Sequence, residues 1–226
     1  MDKAEKKKIT TALTIPGILL AIMWLIRIIE TLFHVNLSFL GVHPLHTDGI
    51  PGILLYPFIH GSFKHLMANS VPFLILGTAL FYFYGKIAFK VFVSIWLLSG
   101  IWVWFGGRES YHIGASGVVY GLSSFLFVSG IIRKNTHLAA LSLIVAFLYG
   151  GLIWGIFPEL FPHENISWEG HLGGLVAGII FAFYYKNEGP QRRMYSWDYE
   201  DDDDDDDDDD PDAYWKRPNT STTYKL

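Results

Sequence analysis

Two residues that could carry out nucleophilic chemistry open separate apolar stretches of this sequence. Ser116 follows Gly114 and Ala115 at the start of one stretch, and His171 begins another. A serine hydroxyl becomes a nucleophile when a neighbouring base accepts its proton, and a neutral imidazole is suited to that task near pH 7. Ser116 and His171 are therefore a candidate nucleophile and general base, provided that the fold brings them together.

Donors that could stabilise a developing oxyanion lie on a third apolar stretch. His65 and Asn69 are four residues apart and so share one face of a helix, and His60 precedes them in the connecting loop. We expect the side chains of His65 and Asn69 to form an oxyanion hole with the Ser116 backbone N–H at a helix N-terminus. Each of these residues alone has an ordinary structural explanation. A serine in a membrane helix commonly bonds a carbonyl oxygen of its own helix, and a histidine at the interface commonly caps a helix. The occurrence of Ser116, His171 and His65 near the ends of three separate apolar stretches, and so at similar depth in a membrane, favours a catalytic site.

No Asp or Glu stands out in the sequence as the third residue of a Ser-His-carboxylate triad. Within the apolar stretches, no Asp or Glu follows Glu30, which we expect to pair with Arg27 in a structural role. Glu169 lies two residues before His171, so on a helix its side chain would point about 200° away from the imidazole. We therefore predict a Ser–His dyad.

Metal chemistry finds less support in the sequence. His163 and Glu164 begin an apparent HExxH zinc motif, but the position that should hold the second histidine is Ser167. His43 and His46 lie in a loop, and no third ligand or carboxylate is evident at a suitable spacing. We expect no metal and no cofactor.

Composition indicates a protein of the lipid bilayer. Of its 226 residues, 51% are hydrophobic and 17% charged, and there is no cysteine, whereas a soluble domain usually carries about 25% charged residues. A transmembrane helix needs about 20 mostly apolar residues. Six segments qualify, and they are 10–33, 66–84, 87–105, 115–132, 138–157 and 170–185. This pattern excludes a soluble enzyme and nucleic-acid binding by a basic patch, and it predicts an all-α polytopic membrane protein with six spans.

The distribution of Lys and Arg predicts the orientation. These residues concentrate near both ends of the apolar region and in the connections after the second and fourth segments. The positive-inside rule therefore places both termini in the cytoplasm. The predicted location is a cell membrane, namely a bacterial inner membrane, because the core is compact and no targeting segment is evident. The outer ends of the second, fourth and sixth segments then carry the candidate site residues at similar depth.

Glycines recur every four residues on the fourth and sixth segments. They are Gly117 and Gly121 on the fourth, and Gly170, Gly174 and Gly178 on the sixth. Such stripes allow two membrane helices to approach closely. Since each stripe adjoins a candidate site residue, this approach would bring the Ser116 hydroxyl within hydrogen-bonding reach of His171.

Together these motifs resemble those of the rhomboid intramembrane serine proteases. The matching motifs are His60-x4-His65-x3-Asn69, Gly114-Ala115-Ser116-Gly117 and His171-x2-Gly174-x3-Gly178. The resemblance implies cleavage of single-pass membrane proteins in or near their transmembrane segments, with Ser116 as nucleophile and His171 as base.

The same resemblance implies further roles. Tyr120 would stack on the His171 ring, and His60 would support the site by hydrogen bonding beneath the loop. The fifth segment and the loop after it would form the lateral gate and cap. One departure concerns the first external loop, where residues 34–59 lack the Trp-Arg pair of many bacterial members.

The chain divides into three parts by composition. Residues 1–9 form a basic cytoplasmic N-terminus, 10–187 the six-helix catalytic domain, and 188–226 a disordered acidic cytoplasmic tail that includes the run Asp201–Asp210. A solvated, self-repelling tail is the simplest interpretation. Weak binding of divalent cations or of a basic partner is the alternative.

Two other function classes stay open at this point. One is a catalytically inactive rhomboid-like protein that binds or escorts membrane clients. The other is a small transporter, which an inverted internal repeat would favour, and none is evident.

Overall fold

Helices are the regular elements of the part of the chain that the structure, a computed structural model, describes, which is residues 2–148 and 167–191. The six long helices are α1 (Lys3–Leu32), α2 (Phe63–Tyr84), α3 (Ala88–Gly106), α4 (Ser116–Ile132), α5 (Thr136–Leu148) and α6 (Trp168–Tyr184). A short helix, Gly52–Leu55, and the 3-10 turns Ser38–Leu40, Thr47–Gly49 and Tyr56–Phe58 lie between α1 and α2, and the turn Gly85–Ile87 joins α2 to α3. The predicted all-helical class is confirmed for these residues.

Two stretches among the described residues are long and apolar enough to cross a membrane, Lys3–Leu32 and Phe63–Gly106. The second contains both α2 and α3. Gly85, with φ 51°, ends α2, and the rings of Phe73 and Phe92 lie 6.0 Å apart across the turn. In a continuous helix 19 residues would separate these rings by about 28 Å. The chain therefore folds back at Gly85, and α2 and α3 are neighbours.

Helix α1 begins seven residues before its predicted apolar segment. Asp2 caps it, because its carboxylate accepts a hydrogen bond from the Ala4 N–H at 3.0 Å. Part of the predicted basic N-terminus is thus helical. The second half of the predicted fifth segment, nearly all of the predicted cap loop and residues 192–226 of the predicted tail lie outside the described residues.

Helix α4 is central to the packing and makes its largest set of contacts with α6. Arg133, at the C-terminal end of α4, donates hydrogen bonds to the backbone carbonyl oxygens of Tyr185, Glu188 and Pro190, at 2.7, 2.7 and 2.6 Å. These bonds fix the end of α6 against α4. The opposite ends of the same two helices carry Ser116 and His171.

Candidate active site

Ser116 is the first residue of α4, and the chain reaches it through Gly114. Gly114 has φ 107°, a backbone conformation that favours glycine. It also lies directly against the imidazole of His65, so that a Cβ at position 114 would come within 2.6 Å of that ring. Its N–H donates to the Tyr56 carbonyl oxygen at 2.9 Å. Gly114 is therefore required both for the turn into α4 and for the close approach of His65.

His171 lies in the first turn of α6 and is 8% exposed. Its Nε2 is 2.9 Å from the Ser116 Oγ, a hydrogen-bond distance between residues of two different helices. The ring of Tyr120, one turn along α4 from Ser116, stacks on the imidazole with centroids 4.3 Å apart and 12° between the planes. The structure thus brings Ser116, Tyr120 and His171 together. Their catalytic roles remain predictions.

The glycine stripes are the contact surface between α4 and α6. A Cβ at Gly174 would collide with the carbonyl oxygen of Gly117, and a Cβ at Gly178 with that of Gly121. Ser124 adds a hydrogen bond across the same contact, since its hydroxyl donates to the Leu175 carbonyl oxygen at 2.8 Å. Larger residues at these positions would separate the backbones and, with them, the two ends that carry the dyad.

His65 and Asn69 lie on one face of α2, as their spacing predicts. The Asn69 Nδ2 donates to the His65 carbonyl oxygen at 3.1 Å, which uses one of its two amide hydrogens within α2. The His65 ring lies against Gly114, two residues before the Ser116 amide. This arrangement puts an imidazole next to the loop that leads into Ser116, and the oxyanion-hole role of the two side chains remains a prediction.

His60 supports the loop before Ser116. It is 1% exposed, and its Nε2 accepts a hydrogen bond from the Ala115 N–H at 3.3 Å. Burial lowers the pKa of His60 to about 3. The ring is therefore neutral at physiological pH, which leaves Nε2 able to accept this bond. The backbone contact agrees with the supporting position that the resemblance implies.

Comparison with known proteins gives the family. The Rhomboid domain model matches residues 49–188, more than half of the chain. The chain belongs to the rhomboid family. Members of this family are multi-pass membrane proteins, and the all-helical fold of the described residues is that of a membrane helical bundle.

Three relatives are similar to this chain over more than half of its length. An uncharacterized protein of Mycobacterium tuberculosis is 36% identical over 191 residues, which cover 81% of this chain and 77% of that protein. A second uncharacterized protein, from Mycobacterium leprae, is 32% identical over 188 residues, covering 77% and 70%. The rhomboid protease GlpG of Pectobacterium atrosepticum is 26% identical over 129 residues, covering 57% and 46%.

Sequence reasoning missed a hydrogen-bonded pair beside Ser116, formed by His112 and Ser167. His112, 4% exposed, has its Nδ1 2.5 Å from the Ser167 Oγ, and its Nε2 donates to the Arg108 carbonyl oxygen at 3.0 Å. Both residues line the same small cavity as Ser116. Burial lowers the pKa of His112, which favours the neutral ring, and its Nδ1 accepts a hydrogen bond from the Ser167 hydroxyl. The available signal was a histidine four residues before Ser116, in the loop between α3 and α4.

The two carboxylates considered in the sequence analysis, Glu30 and Glu169, each contact an arginine. Glu30 forms an ion pair with Arg27 at 3.2 Å and accepts the Leu37 N–H at 2.9 Å. Glu169 is 3.6 Å from the Arg108 guanidinium and accepts the Arg108 backbone N–H at 3.3 Å. Its carboxylate is therefore engaged with Arg108, and Glu30 pairs with Arg27 as predicted.

The expectation that His43 and His46 lack a nearby carboxylate is wrong. Asp48 lies 3.3 Å from the His43 Nδ1, and Glu109 from the next loop lies 2.9 Å from the His43 Nε2. Sequence spacing could not reveal the second contact, because Glu109 is 66 residues away along the chain.

Proposed function

We propose that this rhomboid-family protein is an intramembrane serine endopeptidase that cleaves transmembrane segments of single-pass membrane proteins with a Ser116–His171 dyad. The observation that carries the proposal is the 2.9 Å contact between the Ser116 Oγ and the His171 Nε2, with the imidazole held against Tyr120. The family membership and the similarity to GlpG, a rhomboid protease, support the same reaction class.

In the proposed reaction, the His171 Nε2 accepts the Ser116 hydroxyl proton as Oγ attacks the scissile carbonyl carbon. The carbonyl oxygen becomes an oxyanion, for which the proposed donors are His65, Asn69 and the Ser116 backbone N–H. The protonated His171 then donates its proton to the leaving amine nitrogen, and the peptide bond breaks to give an acyl-enzyme. Water, deprotonated by His171, hydrolyses this ester and restores the serine.

The proposed setting is a six-span bundle over residues 10–187, with both termini cytoplasmic, in a bacterial inner membrane. The Lys and Arg distribution supports this orientation. In this arrangement the dyad opens toward the non-cytoplasmic side, and the bilayer itself delivers the substrate helices. Single-pass membrane proteins are the proposed partners because their transmembrane segments reach the dyad within the lipid.

Two matched pairs of variants test the proposal in the full chain with a transmembrane reporter substrate. Ser116→Ala and His171→Ala should lower the cleavage rate by at least about 10⁴-fold while the protein stays folded, because each removes one half of the proton-transfer pair. Ser123→Ala on the same helix and His137→Ala, at an exposed position of α5, are the controls and should cleave normally. Full activity in either dyad variant would end the proposal.

Covalent labelling separates a protease from an inactive client-binding relative. A fluorophosphonate should modify Ser116 in the wild-type chain and in Ser123→Ala but not in Ser116→Ala, because only an activated hydroxyl attacks phosphorus. A wild-type chain that neither reacts with the probe nor cleaves any reporter would favour the inactive class.

A further inference from the structure

A second group of chemically capable side chains lies outside the proposed active site. The loop after α1 contributes His43, His46 and Asp48, whose nearest ligand atoms all lie within 4.8 Å of one another. The loop after α3 adds Glu109, whose Oε1 is 2.9 Å from the His43 Nε2 and 3.3 Å from the His46 Nε2. We call these four residues the loop cluster. Both imidazoles thus direct a ring nitrogen at the same carboxylate oxygen.

These separations suit coordination of a zinc ion. Zn²⁺ binds imidazole nitrogen and carboxylate oxygen at about 2.0–2.2 Å, with four ligands at the corners of a tetrahedron. Neighbouring corners of that tetrahedron are then about 3.3 Å apart. The distances from the Glu109 Oε1 to the Nε2 atoms of His43 and His46, 2.9 and 3.3 Å, are close to this value. Asp48 lies on the other edge of the His43 ring, 3.3 Å from Nδ1, where a carboxylate commonly accepts the N–H of a zinc-bound imidazole. The two imidazoles stack almost parallel with centroids 4.0 Å apart, so one ring has to turn before both Nε2 atoms point at one ion. A water molecule would supply the fourth ligand.

The backbone holds the two loops together without any ion. Val42 and His112 exchange both backbone hydrogen bonds, at 2.9 and 2.8 Å, one residue before His43 and three residues after Glu109. On the other side, the Trp104 indole N–H donates to the His46 carbonyl oxygen at 2.9 Å. The loop cluster therefore lies on a framework that is already closed, which lowers the ordering cost of binding a ligand.

The charges also suit a divalent cation. Hydrogen bonds to His43 lower the pKa values of Asp48 and Glu109, so both carboxylates are ionised at neutral pH. With neutral imidazoles the two carboxylates carry two negative charges, which a divalent ion neutralises. The hydrogen bond to Glu109 raises the pKa of His43, so zinc competes with a proton at this ring. Two imidazoles select a transition ion such as Zn²⁺ over Mg²⁺ and Ca²⁺, which prefer oxygen ligands throughout.

We propose that His43, His46 and Glu109 bind a Zn²⁺ ion, while Asp48 orients the His43 ring through Nδ1. The ion would tie the loop after α1 to the loop between α3 and α4. The second of these loops continues through His112 to Ser116, so the ion would brace the outer end of the site. The proposal concerns binding alone and is independent of the proposed peptidase activity.

Zinc titration of the full chain tests this proposal. The protein is purified in detergent without a polyhistidine tag, and ZnCl₂ binding is measured by calorimetry. We expect the wild-type chain to bind one Zn²⁺ ion at this site. His46→Ala, and separately Glu109→Gln, should weaken this binding at least about tenfold, since even the loss of a residue behind a metal ligand commonly costs that much. His137→Ala, which removes an exposed histidine of α5 far from the loop cluster in sequence, should bind as the wild type does.

The outcomes distinguish this site from others on the chain. Unchanged zinc affinity in both His46→Ala and Glu109→Gln would show that the ion binds elsewhere, for instance at Asp201–Asp210, and would overturn the proposal. Displacement of the zinc by equimolar Mg²⁺ would do the same, because it indicates an all-oxygen site. Melting curves recorded without zinc identify a variant that has lost its fold, and the near-isosteric Asp48→Asn then replaces it in the comparison.

Discussion

At the scale of single residues, the orientation of the imidazole is what distinguishes His171 from an ordinary histidine at a helix end. Its Nε2 faces the Ser116 hydroxyl, while the Tyr120 ring covers one face of the imidazole at 4.3 Å. Stacked aromatic pairs contribute about 0.5–1.5 kcal/mol beyond the area that they bury. That is enough to favour one ring orientation several-fold, so the proposed base is held in place before a substrate arrives.

Asn69 offers a graded test of the proposed oxyanion hole. Asn69→Ala should lower the rate of reporter cleavage by about 10²–10³-fold, because one donor is lost while His65 and the Ser116 amide remain. Ser70→Ala is the matched control. It removes the hydroxyl that accepts the Trp24 indole N–H at 3.1 Å, and so it should lower the melting temperature without lowering the rate. Equal rate losses in the two variants would assign the effect to packing of α2 and not to an oxyanion contact.

At the scale of helices, the approach of α4 to α6 sets the distance between the two proposed catalytic groups. Gly174→Ala should disrupt both the fold and the site, because the new Cβ meets the Gly117 carbonyl oxygen and forces the backbones apart. Overpacking of this kind usually costs about 1–3 kcal/mol. We expect a lower melting temperature in detergent and slower fluorophosphonate labelling.

The control for this helix contact is Gly17→Ala in α1, where no neighbouring atom lies within 4 Å of the added Cβ. Alanine is favoured over glycine inside a helix by up to about 1 kcal/mol, so this variant should melt at the same or a higher temperature. If Gly174→Ala behaved like Gly17→Ala in both measurements, the close helix approach would not control the geometry of the site.

The sequence predicted those elements and contacts that arise from local patterns. Apolar runs gave α2, α3 and α4 to within a few residues, because polar or glycine residues end each run. The start of α1 was missed because a carboxylate cap and good helix formers, not hydropathy, extend it to Lys3. The contact of Glu109 with His43 and that of His112 with Ser167 were missed because each joins residues from different loops. Spacing along a chain carries no signal for such contacts.

At the scale of the whole molecule, the distribution of charge separates the apolar part of the chain from its end. Residues 1–197 carry fourteen Lys and Arg and nine acidic residues, whereas 198–226 carry three basic and thirteen acidic residues. Under the positive-inside rule the basic connections determine orientation, and acidic residues contribute little. The acidic run is therefore compatible with a cytoplasmic C-terminus.

The absence of cysteine from the sequence makes this orientation directly testable, because a single introduced thiol is the only one present. Ser110→Cys, in the exposed loop between α3 and α4, should react with a membrane-impermeant maleimide in intact cells, since the proposal puts that loop outside. Asn187→Cys, exposed just after α6, should react only once the membrane has been permeabilised. Labelling of both thiols in denatured protein controls for reactivity. The reverse pattern would place both termini outside and the Ser116–His171 pair near the cytoplasmic face. That result would contradict the orientation that the positive-inside rule predicts.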